Sequence, residues 1–180
     1  MNRFLASVIF LFCLINVSQI WAQDYDPDES SNAFEVLDIR GIISNADDGI
    51  PEVLVELYEN NKVVDSFETK KNGKFKFTLM NDEIYTIQLT KGGYYTKRIS
   101  VNTKIPREYD DIYFFEFDIN IDSMEEKNYD VQLVEYPSAL IGFDQEKEEF
   151  ASDKVYTKTY FAELEIPLRN KDFPESNLPN

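Results

Sequence analysis

DGIPEVLVELYENNKVVDSFETKKNGKFKFTLMNDEIYTIQL, residues 48–89, alternates apolar and polar side chains between closely spaced turns. Val53, Val55 and Leu57 share one phase, with Glu52 and Glu56 on the other. After Glu59-Asn60-Asn61, Val63 and Phe67 carry the apolar phase, then Phe75, Phe77 and Leu79, and after Asn81-Asp82, Tyr85, Ile87 and Leu89. A repeat of two is that of a strand with one buried face. Asn72-Gly73 predicts a two-residue type I′ hairpin, because both residues tolerate positive φ. Turn-bounded segments at this spacing predict an all-β, Ig-like antiparallel β-sandwich.

On the N-terminal side of this stretch, a first strand is expected from Phe34 to Ile43, with Leu37, Ile39 and Ile43 inward. Gly41 falls on the same face, where a bulge or a close backbone approach is expected. Asn45 to Gly49 reads as a turn in which Gly49 supplies positive φ. Beyond Gly92-Gly93, a strand from Tyr95 to Thr103 carries Ile99 and Val101. From Ile112 to Ile121 the alternation sharpens: Tyr113, Phe115, Phe117, Ile119 and Ile121 against Phe114, Glu116, Asp118 and Asn120. Tyr129 to Val134 and Ala139 to Phe143 are further strand candidates, and Gln145 to Glu149 reads as a loop. One short C-terminal helix is expected over 154–165, with Asp153 as N-cap and Pro167 as its stop.

The ends of the chain read differently. Asn2 and Arg3 precede an apolar run from Phe4 to Val17, and Ala22 suits cleavage before Gln23. This is the pattern of a signal peptide over 1–22, with an uncleaved N-terminal anchor as the competing reading. Residues 23–33 form an acidic, Ser-rich leader, and 169–180 a loose tail. Export to the periplasm, the outer membrane or the medium is therefore expected, with no stable membrane span after cleavage. Arg3 is the segment's only charge, so cleavage takes the formal net charge from −16 to −17. Cys13 also leaves with it, and it is the chain's one cysteine. A cysteine-free domain is held by its core alone. So acidic a chain, with a pI near 4.3, repels nucleic acid and anionic lipid.

The chain has no histidine, which removes histidine bases, Ser-His triads and the usual zinc sites. No P-loop, GxGxxG or GxSxG motif is present. No enzyme activity and no cofactor are expected. A carboxylate pair acting as a small hydrolase is the remaining catalytic alternative. Residues 108–126 hold eight acids and no base, a calcium reading set against that of a solvated strand face. Asp24, Asp26 and Asp28 repeat the pattern in the leader. Tyr94 and Tyr95, next to two glycines, are candidates for stacking on a sugar ring or peptide, against the reading of core plugs.

Gly41-Ile-Ile, Asp48-Gly-Ile-Pro51 with Val53 and Val55, Thr69 to Phe77, Tyr85-Thr-Ile87 and Lys91-Gly-Gly-Tyr94 together resemble the carboxypeptidase regulatory-like domain. The resemblance spans 34–103; Glu52, Lys70 and Lys71 depart from its usual pattern. The continuation over 104–168 is similar to free-standing exported proteins of Bacteroidota. The resemblance implies a transthyretin-like fold shared with collagen-adhesin B-type repeats. It also implies a non-catalytic role, docking or spacing envelope or surface proteins, with glycan binding in some members. Some collagen-adhesin repeats carry a Lys–Asn isopeptide bond. Arg40 stands in the first strand here, and that bond is not expected.

Overall fold

A computed structural model of the chain describes residues 33–46 and 48–165. The expected signal peptide over 1–22, nearly all of the expected leader, Pro167 and the expected tail lie outside the described residues. The described part is a β-sandwich, as the alternation predicts. Its strands are β1 (Glu35–Asn45), β2 (Asp48–Gly49), β3 (Leu54–Glu59), β4 (Lys62–Glu68), β5 (Lys74–Met80), β6 (Ile84–Thr90), β7 (Lys97–Asn102), β8 (Tyr113–Asn120), β9 (Ala139–Asp144) and β10 (Glu149–Ser152). Helix α1 (Lys154–Leu164) comes after them.

In the smaller sheet β1 lies between β5 and β8, with β2 turned back on the end of β1. The larger sheet runs β10-β9-β7-β6-β3-β4. The chain crosses between sheets repeatedly, so the inward phases of both build one core. Leu37, Ile39, Ile43, Val53, Val55, Ile87, Ile99 and Val101 are all at most 1% exposed there. Two ladders, β1–β8 and β7–β9, are parallel within otherwise antiparallel sheets. Neither is joined by a hairpin, and alternation alone does not encode strand direction.

Several local expectations are corrected. Asn72-Gly73 is no I′ hairpin: β4 and β5 belong to different sheets, and the turn between them carries the chain across. Gly73 donates its N–H to the Lys70 carbonyl at 2.9 Å and takes φ +63°, while Asn72 is not left-handed. The tight hairpin is Asn60-Asn61, with φ of 49° and 62° between the paired residues Glu59 and Lys62.

Gly49 does not supply positive φ; Ala46 and Glu52 do. A Cβ at Gly49 would lie 2.6 Å from the Asn72 carbonyl group, so close approach is what needs a glycine there. Val63 and Val64 on edge strand β4 stay about half exposed, at 48% and 51%.

Tyr129 to Val134 is not a strand. Tyr129 makes a lone bridge to Glu165, and Leu133–Glu135 is a 3-10 turn. The Asp130 carboxylate accepts from the Gln132 N–H at 2.8 Å and the Asp130 carbonyl from the Val134 N–H at 3.1 Å, local bonds that compete with a ladder. Strand β10 begins at the end of the segment read as a loop and extends to Ser152. The helix is as expected: the Asp153 carboxylate accepts from the N–H groups of Val155 and Tyr156, both at 2.9 Å.

Candidate groove beside the free edge of β8

Strand β8 is where the sequence alternation is sharpest and where the sandwich is least closed. One edge pairs with β1; among the described residues no strand pairs with the other. Tyr113, Phe115 and Phe117 point inward but remain only half-buried. Along that open edge runs a groove in two connected parts of about 600 and 590 Å³, both lined by Phe115 and Ser152. Ile99 and Ile141 form part of its floor, while α1 supplies Val155, Thr157 and Phe161. Phe114, Val155 and Phe161 remain 63%, 77% and 40% exposed around it. Three large apolar side chains left wet around one concavity are unusual for a fully partnered surface.

At one end of the groove a charge pair is taken out of water. Lys97 shares the inward phase of Ile99 and Val101, and its side chain is 8% exposed. Its Nζ lies 2.8 Å from Asp122 Oδ2, donates to the Asn120 carbonyl, and sits 5.1 Å from the centre of the Phe161 ring. Asp122 is itself 13% exposed and shares a hydrogen bond with the Tyr129 phenol. The ammonium is thereby surrounded by a carboxylate, a carbonyl and a ring face. That arrangement ties β7 to the segment leaving β8 and offers no free nucleophile. Thr157 also lines the groove, and its Oγ1 is buried with no hydrogen-bond partner among the described residues.

Burial, and secondarily the neighbouring Asp122 carboxylate, pushes the Tyr129 phenol well above its ordinary value. Burial alone or chiefly also raises the phenols of Tyr156, Tyr160 and Tyr85. A folded-state pKa above the unfolded one gives stability that is full below the unfolded value, about 10 for tyrosine, and is lost as pH rises through the folded value. Unfolding free energy is therefore expected to hold steady toward pH ~10 and then fall. Tyr129→Phe should flatten that alkaline limb, as read by urea titrations at stepped pH. An unchanged limb would show that this phenol ionises without cost.

The other candidate residues are dispersed. Tyr94 packs on the main core. Tyr95 joins a second cluster with Tyr129, Tyr160 and Leu164, its ring centre 4.8 Å from that of Tyr129. The Tyr95 hydroxyl donates to the Lys127 carbonyl at 3.2 Å and accepts from the Tyr129 N–H at 3.3 Å. The two rings are half-buried in different clusters and form no common stacking surface.

In the acidic stretch Glu116 and Asp118 face outward from β8 while Asp122 turns in to Lys97. Among the described residues no group of three or more acids, Cys or His is placed to hold a metal ion. Asp24, Asp26 and Asp28 lie outside the described residues. Three acids lining the groove already have bases: Asp122 with Lys97, Glu116 with Arg40 at 2.7 Å, and Asp144 with Lys147. Arg40 is thus a surface ion-pair partner, its guanidinium 5.6 Å from the centre of the Phe114 ring.

No family model matches the chain, and no curated protein matches it. Among solved structures it is similar to 3-chlorocatechol 1,2-dioxygenase from Rhodococcus opacus 1CP, with a TM-score of 0.37 and 9% identity. That match covers 52% of this chain and 62% of the dioxygenase, less than two thirds of its length. A likeness that weak carries no argument about activity.

Sequence reasoning missed the groove because its walls come from strands and a helix far apart in the chain. One signal was readable: Lys97 stands in the otherwise apolar inward phase of β7, with Ile99 and Val101, where a charge needs a partner.

Proposed function

We propose that this chain is an exported, non-catalytic β-sandwich, of the carboxypeptidase regulatory-like kind, that docks an extended segment of an envelope or surface protein. One observation carries the docking reading: the edge of β8, unpaired among the described residues, borders a groove of mixed polar and apolar lining, rimmed by exposed Phe114, Val155 and Phe161. A free sheet edge offers unpaired backbone groups, and a neighbouring groove can take alternate side chains of an added strand. Three of the five acids that line the groove, Asp122, Glu116 and Asp144, are each held by a base, which supports the non-catalytic reading.

The test is selection of a displayed random-peptide library on the immobilised full chain, with a glycan array in parallel. Enrichment of peptides that Phe161→Glu and Val155→Glu no longer retain is the expected result. Retention of glycans alone would overturn the docking reading in favour of a carbohydrate-binding module.

A further inference from the structure

We infer that the β8 edge takes an extended partner segment whose side chains alternate between apolar and basic, a reading that rests on the docking function proposed above. The alternation follows from β8 itself. A strand added beside it continues its pleat, sending every second side chain into the groove and the others to the outer face. Inward, those side chains meet Phe115, Phe117 and Phe161.

Outward, the added strand lies next to Glu116 and Asp118, both exposed. Arg40 holds one oxygen of Glu116, yet that side chain remains 67% exposed and open to a second cation. Lys154 lines the groove as well and Lys147 is occupied by Asp144, so the preference for basic side chains belongs to the outer face of β8.

A second copy of this chain is a poor occupant. Edge-to-edge pairing of two β8 strands would bring Glu116 and Asp118 near their own counterparts, and like charges across strands are destabilising. The net charge of −16 adds long-range repulsion between copies and attraction for a basic segment.

Synthetic eight-residue peptides alternating Val with Lys, Val with Glu or Val with Ser test this by fluorescence anisotropy on the full chain. The Lys peptide is expected to bind at least about tenfold more tightly than the Glu peptide. Added salt should narrow that gap. Asp118→Lys should reverse the preference, and Glu116→Gln with Asp118→Asn should erase it. Bound peptide should also slow amide hydrogen exchange within 113–120, which a merely electrostatic encounter would not. Equal binding of all three peptides overturns the basic-segment proposal and leaves docking intact. Binding of none, with self-association that Asp118→Lys alters, assigns the edge to a second copy and overturns it too. Binding of none by a monomeric chain removes the docking function itself.

Discussion

Asp122→Ala is expected to destabilise the fold by about 3–5 kcal/mol, the usual cost of stripping one partner from a buried ion pair. The reason is what remains. Lys97, 8% exposed, would keep the Asn120 carbonyl and the Phe161 ring but lose the carboxylate against its ammonium, and Tyr129 would lose an acceptor. Arg40 with Glu116 makes a closer contact, 2.7 Å, yet both side chains are well exposed at 45% and 67%. Water already solvates that pair, so Glu116→Gln should cost less than about 1 kcal/mol. Distance is not what separates the two cases; desolvation is. Replacing the whole pair, Lys97→Met with Asp122→Leu, should recover most of the loss, because no unpaired charge is then left inside. Urea unfolding of the parent, Lys97→Met, Asp122→Leu and the double variant measures the coupling, with Asp122→Ala alongside. A loss under about 1 kcal/mol for Asp122→Ala would mean that water reaches Lys97 and that the pair is not buried in solution.

Gly41→Val is expected to cost about 3 kcal/mol or to prevent folding. Gly41 lies in register with Phe75 on one side and Phe117 on the other. A Cβ there would fall 1.9 Å from the Phe117 carbonyl oxygen and 2.9 Å from the Phe75 ring. The empty position lets those rings meet edge to face, with centres 5.7 Å apart, across the strand between them. Phe75→Leu added to Gly41→Val should therefore restore only part of the loss: it clears the ring and leaves the backbone contact. Thermal and urea midpoints provide the measure. A Gly41→Val protein as stable as the parent would show that β1 and β8 can separate at this point without cost. Because β8 is held to its sheet through β1 alone among the described residues, such a change should also loosen the groove.

The alternation of Val53, Val55, Leu57, Phe75, Phe77, Leu79, Tyr85, Ile87 and Leu89 is enough to establish that this chain forms strands and which side chains enter the core. The reason is local: a period of two puts every second side chain on one face whatever the partner. Asp153 before a helix and glycine at 41 were legible on the same terms, as a cap and a close approach. Turn chemistry was less informative. Asn72-Gly73 has the composition of a hairpin, yet its flanking strands go to opposite sheets, and Asn60-Asn61 makes the tight turn instead. A turn sequence limits φ and ψ over a few residues and does not choose the next strand's neighbour.

Strand order, the parallel ladders β1–β8 and β7–β9, and the burial of Lys97 against Asp122 arise from tertiary packing alone. Each depends on which apolar faces find one another across long stretches of chain, a choice made by the whole core at once. The groove has the same origin. Alternation says that Tyr113, Phe115 and Phe117 share a face; only the pairing of β8 through a single edge among the described residues leaves that face half-covered.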